Sequence, residues 1–201
     1  MKTLFRLSFS RFVLPCMTAT LVLLAAGIAH AGSIFTVTLT QVGPNVVATG
    51  SGTIDLTGLD SFGSPFSSPE MYPAHGIMGI GPSGTVDLYF GLSGGSFGPG
   101  FGGFPITTSG DSVFLEDFGL DIEVPQGYVS GTFLSGSATY GPGTPESLGA
   151  TPGTYTFTWN SGANSYVLII PATPTPEPGT LSMFGLSLIS VAGVVRRKLN
   201  F

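Results

Sequence analysis

Apolar and polar positions alternate most cleanly in Gly153-Thr154-Tyr155-Thr156-Phe157-Thr158-Trp159. Tyr155, Phe157 and Trp159 fall on one face and the threonines on the other, the period-two pattern of a half-buried strand. Residues 160–164 then turn the chain into Tyr166-Val167-Leu168-Ile169-Ile170, so the two runs are expected to form a hairpin that closes the core. Phe35, Val37 and Leu39 repeat the pattern near the start, opposite Thr36, Thr38 and Thr40. Further β-prone runs fall at 46–56, 85–90, 112–118 and 128–134, each bounded by Gly or Pro. Short strands at this spacing predict an all-β domain over 32–171, a β-sandwich of jelly-roll-like type.

Between these runs, 61–82 and 91–103 hold so much Gly, Ser and Pro that they read as long loops. The segment PATPTPEP, 171–178, reads as an extended linker, because repeated proline fixes φ near the polyproline II value. No long amphipathic helix is expected before Thr180.

The two ends are patterned differently. Residues 179–195 form an apolar run that no charge interrupts, at the short end of the about 17–25 residues needed to cross a hydrocarbon core of about 30 Å. A soluble core helix would carry polar positions at helical period, and none stronger than serine is present. Arg196, Arg197 and Lys198 follow as a basic stop, which the positive-inside rule keeps cytoplasmic, with the 196–201 tail. At the other end, Lys2, Arg6 and Arg11 precede an apolar segment centred on 21–28. Ala29-His30-Ala31 then supplies a small-x-small cleavage site, so 1–31 reads as a secretory signal peptide cut after Ala31. Cys16 is the sole cysteine. A lipoprotein signal would put a small residue before it, where Pro15 stands. Cys16 is thus expected to leave with the signal, which excludes disulfides and thiol chemistry from the mature chain.

Charge sharpens this division. All six Lys and Arg residues lie in those two ends, whereas all eleven Asp and Glu lie between 32 and 195. With no cation against eleven carboxylates, that segment has a formal charge of −11, hidden behind the whole-chain value of −5. Such a surface repels phosphate backbones, which excludes nucleic acid as a partner.

The order Pro176-Glu177-Pro178, apolar run, basic cluster resembles the PEP-CTERM sorting signal of Gram-negative bacteria. The resemblance implies that the tail is a temporary membrane anchor, read and cleaved by the transpeptidase-like membrane enzyme exosortase, after signal peptidase has acted at Ala31. It further implies a protein held first in the inner membrane and then sorted to the envelope surface or beyond. A second block, Ser147-Leu148-Gly149-Ala150-Thr151-Pro152-Gly153 through Trp159 and on to Tyr166, is similar to a block found in many PEP-CTERM proteins. Phe157 stands where Trp is usual there. So do Gly50-Ser51-Gly52-Thr53-Ile54-Asp55-Leu56 and Val124-Pro125-Gln126-Gly127-Tyr128-Val129-Ser130-Gly131 resemble that group, and none of these blocks implies an activity.

Catalytic motifs are sparse. Gly91-Leu92-Ser93-Gly94-Gly95 matches G-x-S-x-G, but a nucleophile elbow needs a later His, and none follows Ser93. Gly98, Gly100 and Gly103 match G-x-G-x-x-G through glycine density alone. His75 is the one histidine of the exported segment, and its Pro- and Gly-rich surroundings predict a solvated side chain. The acidic cluster 116–123 is the remaining candidate. On a strand, Asp121 and Glu123 point to one side about 7 Å apart, and oxygen ligands of this kind suit Ca²⁺. The bland reading is a solvated face that keeps strand edges apart, and the Ca²⁺ loop template D-x-[DN]-x-[DN]-G is absent. Two carboxylates also suffice for glycoside hydrolysis, if a cleft brings them together.

The expected function is therefore that of an exported, non-catalytic structural or adhesive protein of the cell surface or biofilm matrix, in contact with extracellular polysaccharide and needing no cofactor. The alternative is a carbohydrate-binding module, Ca²⁺-dependent or not, with Tyr89, Tyr128, Tyr140 or Trp159 exposed as stacking platforms. An enzyme would require a pocket joining His75 to two buried carboxylates.

Overall fold

The structure, a computed structural model, describes residues 32–116 and 120–172. The expected signal peptide with its cleavage site at Ala29 and Ala31, the motif Pro176, Glu177 and Pro178, the apolar run 179–195 and the expected basic stop Arg196, Arg197 and Lys198 all lie outside the described residues. Among the described residues no helix is long and apolar enough to cross a membrane.

Among the described residues, thirteen strands are arranged in two sheets. The first sheet runs in the order β12 (Gly153–Trp159), β13 (Asn164–Ile170), β1 (Ile34–Val42), β2 (Asn45–Thr53), β11 (Phe133–Pro142) and β8 (Thr107–Gly110). The second runs β3 (Asp60–Gly63), β7 (Gly84–Phe90), β10 (Asp121–Pro125), β9 (Val113–Glu116), β6 (Ile77–Ile80) and β5 (Met71–Tyr72), with β4 (Phe66–Ser67) also paired to β7. One hydrophobic core lies between them, so the all-β sandwich expected from the alternation is what forms. The jelly-roll-like order is a finer matter. Jelly rolls use eight strands in two Greek keys, whereas here β1 lies parallel to β13.

The alternation fixes which face goes inward. Phe35, Val37 and Leu39 are fully buried, while Thr36, Thr38 and Thr40 are only half-buried. Each such apolar side chain removed from water contributes about 1.5–3 kcal/mol. The predicted hairpin forms with Phe157 opposite Tyr166 and Trp159 opposite Asn164. Its turn, Asn160–Gly162, is tight enough that Asn160 and Ser161 take left-handed φ of 50° and 56°. Asn tolerates that region because its short side chain bonds locally.

Two expectations fail. Residues 128–134 are not a strand: Gly127 to Thr132 make turns, and β11 starts at Phe133. The segment 61–82 is not a long loop, since it holds β3, β4, β5 and β6. For β6 the reason is burial on both faces. Ile77, Met78, Gly79 and Ile80 are all buried, as are Val113, Phe114 and Leu115 on β9 and Asp121 to Val124 on β10. A strand covered on both sides shows no alternation to read.

The second cover is a strap formed by residues 64–70. Val86 N–H donates to the Pro65 carbonyl at 3.0 Å, which holds the strap at β7. At its far end Gly79 N–H of β6 donates to the Glu70 carbonyl at 2.8 Å. Gly79 is required there, because a Cβ would sit 2.7 Å from the Pro69 Cα. Val86, Phe114 and Ile77 are buried on this outer face, apart from the main core.

Candidate functional site

β10 places Asp121 and Glu123 on the outer face of the second sheet, since the alternate residues Ile122 and Val124 enter the core. Glu116 lies directly opposite Asp121 across the β9–β10 pair. The strap brings Ser67, Ser68 and Glu70 over the same face. The short 3-10 turn Pro73–His75, closed by left-handed Gly76, brings His75 in from the β5–β6 connection. Together with Ile77 these residues line an open cleft of about 450 Å³.

The bland reading of the acidic cluster as a solvated face is thereby overturned for two of its members. Asp121 is 6 % exposed and Glu123 5 %. Ser67 Oγ donates to Glu123 Oε1 at 2.9 Å, while Glu123 Oε2 is buried with no hydrogen-bond partner. Burial pushes the Glu123 carboxyl above its ordinary value of 4.5, and the Ser67 bond offsets this in part. Nor is His75 a freely solvated loop residue, because its ring stacks on Tyr72 at 4.2 Å between centroids. Tyr72 in turn meets Phe101 edge-on at 4.9 Å, and Phe101 meets Phe104 at 6.2 Å. Phe101 and Phe104 are 55 % and 64 % exposed. A chain of aromatic rings therefore leads from the His75 wall of the cleft out to solvent.

The aromatic residues expected as platforms are elsewhere. Trp159 is 2 % exposed, with its indole N–H donated to the Asp55 carbonyl at 2.7 Å. Tyr140 is fully buried and Tyr89 packs against the core. The Tyr128 hydroxyl accepts from Ile54 N–H at 3.1 Å and donates to the Thr132 carbonyl at 2.7 Å. Their rings fill the sandwich and its end, as aromatic residues on strand faces generally do. Sequence reading missed Tyr72 and Phe101, which sit in segments read as loops, and Phe104 just beyond the second of them.

Among the described residues no three His, Asp or Glu side chains come together as metal ligands. Ser93 forms an isolated bridge with Thr158 on β12, with backbone bonds of 2.8 and 3.0 Å in the two directions, and so does not stand at a strand-to-helix elbow.

The class these features define is an all-β sandwich with an acidic cleft on the outer face of one sheet and a run of aromatic rings leading from its His75 wall. At residues 174–198 the chain matches the PEP-CTERM protein-sorting motif. It is thus an exported protein that bears the sorting signal read by exosortase. No curated protein and no solved structure matches the chain.

Proposed function

We propose that this exported protein is a non-catalytic adhesive component of the cell surface or extracellular matrix, and that its β-sandwich holds polysaccharide at the acidic cleft. The observation that carries the reading is the ring sequence of half-buried Tyr72 and exposed Phe101 and Phe104, which leads from the His75 wall of a cleft lined with carboxylates and hydroxyls. Aromatic faces stack on the apolar faces of sugar rings, and carboxylates accept hydrogen bonds from sugar hydroxyls. In this reading exosortase delivers the domain to the place where such polymers lie.

Co-sedimentation of the purified protein with extracellular polysaccharide tests it. Retention that falls when Phe101→Ala and Phe104→Ala are combined supports the reading. Equal retention of the double variant, or none by the parent, removes it.

One observation favours a second reading. Glu123, with a raised pKa, lies two residues from Asp121 in a cleft that also holds His75, the pocket an enzyme would require. A carboxyl with a raised pKa suits the general acid of glycoside hydrolysis, with a second carboxylate as its partner. New reducing ends from a bound polymer, lost in Glu123→Gln, would replace adhesion by hydrolysis.

A further inference from the structure

From the cleft's charge and its unsatisfied carboxylate we infer that the sugar it holds is an amino sugar, bound through a protonated amine seated against Glu123. The inference rests on the polysaccharide reading above and narrows it to one chemical class.

Charge points there first. Glu70, Glu116, Asp121 and Glu123 line one cavity, and the chain between residues 32 and 195 contains no Lys or Arg to neutralise them. Like charges gathered at a partly desolvated site repel one another. A cation from outside the chain relieves that repulsion. The second observation is independent of the charge count. Glu123 is 5 % exposed, its Oε1 is oriented by the Ser67 hydroxyl, and its Oε2 has no hydrogen-bond partner. A buried acceptor left in this state is unfavourable until a donor arrives. An ammonium supplies three donors and the charge together.

Size and shape then separate an organic ammonium from a bare ion. The cleft encloses about 450 Å³, within the range of sites for small organic ligands. Among the described residues no three side chains converge as metal ligands. The exposed rings of Phe101 and Phe104 continue from the His75 wall and give a sugar ring a surface to stack on.

The test is calorimetric titration of the full chain, purified in detergent, with a glucosamine tetramer, an N-acetylglucosamine tetramer and CaCl₂. The expected result is binding of the glucosamine tetramer at least about tenfold tighter than its acetylated counterpart. Glu123→Gln should weaken it about tenfold. Asp60→Asn, an exposed carboxylate on β3 outside the cleft, should leave it unchanged and so separates the site from general attraction to an acidic protein. Should Glu123→Gln fail to fold, Ser67→Ala removes the orienting bond and is expected to weaken the same binding. Equal affinity for the two tetramers would overturn the amine and leave the polysaccharide reading standing. Ca²⁺ binding that Glu123→Gln abolishes would overturn it in favour of a metal. If no tetramer binds while extracellular polysaccharide still co-sediments, the inference alone fails; if neither binds, both fail.

Discussion

The Tyr140 hydroxyl donates to the Gly79 carbonyl at 2.7 Å, and this bond runs from β11 of the first sheet to β6 of the second through the closed core. The N–H of the same Gly79 holds the strap at Glu70. One small residue therefore ties together both sheets and the roof of the cleft. Burial raises the Tyr140 pKa strongly, the charges of Glu70 and Glu116 raise it further, and the Gly79 bond works in the opposite direction. The phenol accordingly remains a neutral donor.

Removing that donor leaves a buried carbonyl without its side-chain partner. Tyr140→Phe should lower unfolding stability by about 1–3 kcal/mol. Tyr166→Phe is the matched control. Its hydroxyl is buried without a hydrogen-bond partner, so its removal should be neutral or slightly stabilising. Urea denaturation of the two variants checks the contrast, and an equal loss in both would refute it.

At Gly79 the constraint is steric. Gly79→Ala puts a methyl group against the Pro69 backbone, and the strap must move. A loss of about 1–3 kcal/mol is expected, the usual range for overpacking. Faster hydrogen exchange should appear at Gly79 and Val86, whose amides hold the strap, while β1 and β13 stay protected.

Glu123 sets a pH dependence with a definite sign. Its folded pKa lies above the ordinary 4.5, so the folded state binds the proton more tightly than the unfolded chain does. The protein should therefore lose stability through this group as pH rises from about 4.5 through the raised folded value. Glu123→Gln should remove that component and be the more stable form at neutral pH. Melting temperatures of parent and variant across pH 4–8 would reveal it; parallel curves would contradict the assignment.

Sorting is tested at the other end of the chain. Glu177→Ala, or truncation after Pro178, should redirect the protein in a host that contains exosortase. Intact mass of the material in envelope and medium, with and without exosortase, reads the result directly. A form ending near Pro178 only in the exosortase host is the expected outcome.

Where one face of a strand meets the core and the other meets water, the sequence was readable. Phe35, Val37 and Leu39, and Tyr155, Phe157 and Trp159, announce their strands because burial alternates with exposure. Destination was readable for a different reason. The PEP-CTERM motif is contiguous in the chain, at residues 174–198.

By itself, then, the sequence determined the all-β class, the closing hairpin, the separation of charge and the route of export, since each depends on neighbours in the chain. Tertiary structure alone decided the cleft. Glu70, His75, Glu116 and Glu123 come from three separate stretches, and only strand pairing and the strap bring them to one face. It also decided that Trp159 and Tyr140 lie inside and Phe101 and Phe104 outside. An aromatic residue has the same composition in either place, and what settles its position is the volume left between two packed sheets.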